Sequence, residues 1–358
     1  MVNEQLAEVS NLLIVVAIVV YILGLIGFSA DLAAASQRRS DQRLAQKQLV
    51  GAASAAVPEA GGGVFPSAGA GDGGGAPAPR TMSALTFAYG MTGVAVLLHL
   101  AGIVLRGVVT QRVPWANMYE FSMSGAAVVV LMFLIFSIRR GDLRLLGTFV
   151  ILPVLIVMLV AQTFWIVPAA TLTPSLQNSH WLVIHVIIAV LSSGLFGLGA
   201  LVAVLQLIQS RYEAARAGLG AAGASDAPAA QAEGQDAGAG APVWGRVGSV
   251  LDRLPGAKPL EALSYRIHAV AFVGWTFTLI FGAIWANQAW GRFWNWDPKE
   301  VWTFITWVVY ACYLHARATR GFRGNKAAWF ALAGFVCVIF NYTVVNTVIN
   351  GLHSYSGL

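Results

Sequence analysis

Eight apolar stretches, at 11–30, 83–105, 118–138, 145–163, 181–209, 264–286, 300–316 and 327–349, constrain this chain more than any motif within it. A bilayer core about 30 Å thick needs about 20 apolar residues at 1.5 Å per residue. Lipid offers no partner to an open backbone, so stretches of this length are predicted as helices. Composition agrees, with 57% hydrophobic and only 11% charged residues, where a soluble domain carries about 25% charged. The expected fold is all-α, a polytopic membrane bundle of about eight transmembrane helices. The first stretch has no basic run before it and no small-residue cleavage motif after it, so it reads as a retained helix. The net charge of +6 is spread over short loops and makes no stripe for nucleic acid. Cys312 and Cys337 lie in apolar segments, which leaves no disulfide framework, zinc set or C-x-x-C-H motif.

Two stretches separate the apolar segments into blocks. Residues 1–30 hold the first helix, 81–209 the second to fifth, and 261–358 the sixth to eighth. Between them, 31–80 and 210–260 are rich in Ala, Gly, Pro and Gln and are expected to be disordered cytoplasmic linkers. With the N-terminus outside, 18 of the 22 Lys and Arg fall on the cytoplasmic side, the short loops "RRGDLR" and "RATRGFRGNK" among them. Both termini are then extracytoplasmic, and so is the loop between the sixth and seventh helices.

That loop belongs to the segment "WANQAWGRFWNWDPKEVWTFITW", residues 285–307, which holds half of the chain's 12 Trp. Asp297, Pro298 and Glu300 read as N-cap, N1 and N3 of the seventh helix. A membrane-interface belt accounts for one or two Trp per helix end. It does not account for W-x3-W-x-W running into a capped helix, which suits a flat hydrophobic ligand such as a planar macrocycle. If the macrocycle carries iron, histidines are its natural axial ligands. Of six histidines, His180, His185 and His353 lie on the side of the Trp segment. Trp181 and His185 share a helix face. His315 is at the inner end of the seventh helix, while His99 and His268 are read as structural. In "PWANMYEF", Asn117 and Glu120 have the spacing of a capping box, and Tyr119 and Glu120 face the Trp segment's compartment.

These residues resemble the tryptophan-rich WWD signature of the haem-handling proteins of cytochrome c maturation. "YLHAR", "GLHSYSG", "NSHWLVIHV" and "NMYEF" are similar to the CcsA (ResC) family of System II, labelled CcsB in some Gram-positive bacteria, over about 83–209 and 262–358. The resemblance implies that haem b is bound as substrate. His185 and His353 would hold the iron at an outer site. Trp290, Gly291, Trp294, Trp296, Asp297, Pro298, Lys299, Glu300 and Trp302 would form the haem platform, within a loop at about 287–300. His315 would hold haem iron at an inner site, with a second histidine from a CcsB/ResB-type membrane partner. Trp181, Asn117, Tyr119 and Glu120 would support the site. The implied activity is that of a cytochrome c haem lyase (holocytochrome c synthase) component, joining haem to C-x-x-C-H of apocytochromes c. A thiol-reducing thioredoxin-like protein belongs to such a pathway. The implied location is the bacterial plasma membrane, multi-pass, with the haem site extracytoplasmic. Two other classes stay open at this point: an electron-transfer subunit with permanent haem b, and a transporter of an amphipathic small molecule.

Overall fold

The computed structural model describes residues 4–55, 82–169, 179–223, 248, 250–319 and 321–353. The chain runs through α1 (Glu4–Ala55), α2 (Ala84–Thr110), α3 (Met118–Arg139), a 3-10 turn (Gly141–Leu146), α4 (Gly147–Phe164) and α5 (His180–Gly223). It continues through α6 (Ala257–Trp290), α7 (Pro298–Ala318), α8 (Asn325–Tyr342) and the single turn α9 (Val344–Thr347). There is no strand among the described residues. Among the described residues seven spans are long and apolar enough to cross a membrane: Glu4–Ala34, Ala84–Thr110, Met118–Arg139, Leu143–Phe164, His180–Gly218, Ala257–Trp290 and Asn325–Thr347. The remaining helix, α7, is 21 residues long but spends them on Trp, Tyr and Thr beside the charged pair Lys299 and Glu300, so it is less apolar. Leu97, Val104, Ile138, Val270 and Val336 are all exposed. Such a surface suits lipid rather than water.

Two helix ends differ from the composition-based expectation. α1 continues to Ala55 and α5 to Gly223, so parts of both expected linkers, 31–55 and 210–223, are helical. The sequence "ADLAAASQRRSDQRLAQKQL" looks like linker by polarity, yet Ala, Leu, Gln, Arg and Lys are strong helix formers. At 52 residues, α1 would be about 78 Å long at 1.5 Å per residue, more than twice a bilayer core. The far side of the second linker folds back as well. The Arg253 guanidinium reaches Asp31 Oδ2 at 3.1 Å, and Asp252 accepts from Tyr212 Oη at 2.8 Å. Residues 56–80, 224–247 and 249 of the expected linkers lie outside the described residues.

The helices gather around two cores. One is built by α1 to α5 around Tyr21, Phe28, Met123, Val150 and Met158, and the other by α5 to α8 around Phe196, Trp275, Tyr310 and Tyr313. α5 contributes to both and packs along α6. α1 and α2 cross closely because small residues meet there. A Cβ on Gly27 would stand 2.9 Å from Ala88 Cβ, and one on Gly102 would stand 2.8 Å from Ile14 Cδ1. Such small-residue contacts let membrane helices approach backbone to backbone. The cap expected at the start of α7 is present. Asp297 accepts from Lys299 N at 3.2 Å, and Glu300 Oε2 accepts from Asp297 N at 3.2 Å. α6 ends at Gly291, whose φ of 72° closes the helix in the left-handed region that glycine enters at no steric cost.

Candidate functional site

A cavity of about 600 Å³ opens where the first turns of α5 and α7 meet the last turns of α6 and α8. His185, Trp275, Trp285, Trp294, Lys299 and His353 are among its walls. The loop between α2 and α3 closes another side with Gln111, Arg112 and Trp115. The volume falls within the range of about 300–1,000 Å³ typical of cofactor-sized pockets.

His185 is in the second turn of α5, and its ring lies against α6. The approach needs Gly282, since a Cβ there would stand 2.8 Å from His185 Cε1. Nδ1 lies 2.9 Å from the Thr278 carbonyl oxygen. A carbonyl only accepts, so Nδ1 carries the proton and Nε2 keeps its lone pair, the form in which an imidazole binds iron. His353 arrives from the other end of the chain, in the tail after α9. Its Nδ1 is 2.7 Å from Asp297 Oδ2, and Leu352 N donates to Asp297 Oδ1 at 2.6 Å. A Cβ on Gly351 would stand 2.6 Å from that same oxygen, so the strap passes over the carboxylate only because residue 351 is glycine. Asp297 is 5% exposed. Burial pushes its carboxyl up, but the hydrogen bond from His353, the Leu352 amide, the His353 charge and the Lys299 amide together hold it below the ordinary carboxylate value. One side chain therefore starts α7 and pins the tail.

The Trp residues of the segment separate by location. Trp285 is 1% exposed and stands at the centre. Its ring lies nearly parallel to His185, 15° apart with centroids at 6.1 Å, and edge-on to His353 at 5.7 Å. Trp290 meets His353 edge-on at 5.1 Å and Trp285 at 4.8 Å. Trp294 walls the cavity and carries Trp296 edge-on at 5.8 Å. Trp296 is 77% exposed and has φ of 59°, a left-handed backbone rare for so large a side chain. Glu300 holds that turn by accepting from the amides of Asn295 and Asp297. Trp302 packs on Phe340 of α8, tilted by 35° with centroids at 4.1 Å. Lys299 Nζ donates to Asn341 O and to Asn346 Oδ1, each at 2.8 Å, and joins α7 to α8 and α9.

The supporting residues also take distinct places. Asn117 caps α3 through the Glu120 amide at 2.9 Å. Glu120 does not return the bond to the Asn117 amide. Its Oε2 accepts from Ala116 N, and its carboxylate is buried between Arg106 and Arg112, at 3.1 and 2.6 Å. Tyr119 is buried, with Arg106 over its ring and its hydroxyl on Asn11. Trp181 packs on Phe281 of α6 at 5.7 Å. His180 is exposed at the cavity mouth. His315 is far from this group, exposed in the last turn of α7. His99 and His268 are sealed in the cores, each with Nε2 buried and unpartnered.

Several residues here escaped the sequence reading. Trp285 sits in the quoted segment and its role depends on three elements meeting. Gly282, Thr278, Arg106 and Asn346 act through contacts that no local pattern announces. Among the described residues no group of three or more His, Cys, Asp or Glu is placed to hold a metal ion. The site is instead a pair of imidazoles around aromatic rings, which fits an iron macrocycle.

The chain matches the family described as cytochrome C assembly protein over residues 115–353. It is 35% identical over 293 residues to the cytochrome c biogenesis protein CcsA of Gloeobacter violaceus, covering 75% of this chain and 86% of that one. It is 33% identical over 271 residues to CcsA of Chlamydomonas reinhardtii, covering 74% and 67%. With CcsA of Rippkaea orientalis the identity is 40% over 215 residues, covering 52% and 63%. The matched span takes in the Trp segment, His185 and the strap up to His353, so this multi-helix membrane chain belongs to the cytochrome c assembly protein family, among the CcsA proteins of cytochrome c biogenesis.

Proposed function

We propose that this chain binds haem in the cavity, with His185 and His353 as axial ligands. The observation that carries the reading is a convergence. Two histidines from opposite flanks of the signature segment reach one cavity, each with Nδ1 already engaged, and both touch Trp285. Nδ1 bonds of this kind orient a ring and raise its basicity at Nε2. Haem is cargo rather than resident cofactor, and its vinyl groups are the reacting centres. Thioether formation adds a thiol S–H of C-x-x-C-H across each vinyl double bond, so it consumes no oxidant. This chain's contribution is placement: aromatic walls for the ring, fixed imidazoles for the iron, and a mouth toward the apocytochrome.

The basic loops orient the cavity outward, at the face of the plasma membrane away from the cytoplasm. His315, exposed in the last turn of α7, is the inner-site ligand, completed by a histidine of a CcsB/ResB-type partner. The pair forms the haem lyase, and a thioredoxin-like protein keeps the acceptor thiols reduced. The test is deletion of this chain followed by haem-stained gels of all c-type cytochromes. Loss of every band is expected, and retention of all bands would remove the proposal.

A further inference from the structure

Trp285 is in ring contact with both His185 and His353, and its geometry carries more than a wall. Each histidine is tied at Nδ1, to Thr278 O or to Asp297 Oδ2. A single hydrogen bond fixes where a ring nitrogen sits but lets the ring pivot about that bond. Packing against the flat faces decides the pivot. Trp285 lies 15° from the His185 plane and 69° from the His353 plane. The two imidazole planes are therefore crossed by between 54° and 84°, the difference and the sum of those angles.

We propose that Trp285 is a positioning residue that holds the two axial imidazoles crossed rather than parallel. This rests on the assignment of His185 and His353 as iron ligands. The indole is set for the task. It is fixed on α6 one turn beyond Gly282, the residue that admits His185, and Trp290 backs it from the His353 side at 4.8 Å. Its Nε1–H is buried with no partner among the described residues, so no hydrogen bond there accounts for a Trp at this position.

Crossed and parallel imidazoles differ spectroscopically. Parallel planes lift the degeneracy of the iron orbitals that overlap the ligand π systems and give a rhombic low-spin ferric signal. Crossed planes leave those orbitals nearly degenerate and give a strongly axial signal with a large maximum g value. The experiment is low-temperature electron paramagnetic resonance on the purified full chain loaded with ferric haem. Wild type and Trp285→Phe are expected to give the axial signal, while Trp285→Leu shifts to a rhombic or high-spin signal. A rhombic wild-type spectrum, or a Trp285→Leu spectrum identical to the axial wild type, overturns the proposal. Where Trp285→Leu fails to accumulate, the wild-type and Trp285→Phe spectra decide: rhombic signals from either reject it. His185→Gly and His353→Gly separate the two levels of the argument. If neither alters the low-spin signal, the ligand assignment has failed. If both abolish it while Trp285→Leu changes nothing, only the positioning role has failed.

Discussion

His99 and His185 both project from long apolar helices into the bundle, yet their surroundings make them different chemical objects. At the α1–α2 crossing, small residues bring the helices together until no space is left. His99 is enclosed there with its Nδ1 3.4 Å from Tyr21 Oη, and Ser10 Oγ donates to Gly102 O at 2.8 Å. Around His185 the same kind of small residue, Gly282, opens room for the imidazole itself and leaves its other edge toward a cavity. Glycine closes one region and opens the other. The lesson is that a histidine on an apolar helix reaches a cavity where the helix it faces gives way, as Gly282 does for His185.

That contrast can be broken in several ways. His185→Gly or His353→Gly should deplete haem by more than the roughly 10-fold to 100-fold loss typical of an outer-shell change, while His99→Leu leaves haem content intact. Haem-to-protein ratios of purified chains would measure both, and equal losses at all three positions would erase the distinction. Asp297→Asn comes next. Asn is as good an N-cap as Asp, so α7 should start normally while the charged tie to His353 is lost, with haem retention falling about 10-fold. Asp297→Ala should add about 1 kcal/mol of lost helix stability to the same haem defect. Gly282→Ala pushes a methyl onto His185 and should cost about 1–3 kcal/mol in overpacking, read as a lower melting temperature and weaker haem binding together. Tyr21→Phe at the sealed crossing should cost about 1 kcal/mol or less and leave haem spectra unchanged.

The smallest expected effect is one of pH. The Asp297 carboxyl titrates below its ordinary value when folded. A depressed acid contributes stability in full above the unfolded value, about 3.9, and loses it as pH falls through the lower folded value. The Leu352 amide, which donates to Asp297, should keep its hydrogen-exchange protection factor from neutral pH to about 4 and lose it below. Loss of protection already at pH 6 would mean that the clasp depends on another group.

Much of the architecture was legible because bilayer thickness imposes a length on each span and lipid imposes a helix. The start of α7 was legible for a local reason, since Asp297, Pro298 and Glu300 satisfy one another within a single turn. The helical extensions of α1 and α5 were misjudged because polarity was weighed above intrinsic propensity. Glu120 shows a different gap. Its capping distance from Asn117 is a sequence feature, but its two guanidinium partners come from α2 and the following loop. Likewise, nothing in "WANQAWGRFWNW" tells Trp285, buried between two imidazoles, from Trp296, held outward. Only the meeting of α5, α6 and the tail separates them.

The double use of Asp297 has a mechanical consequence. The carboxylate that begins α7 also grips Leu352 and His353, so the tail has no slack relative to that helix. His315 is in the last turn of the same 21-residue rod, about 30 Å long by helix rise. α7 thus sets a fixed spacing between His315 and the carboxylate to which His353 is tied.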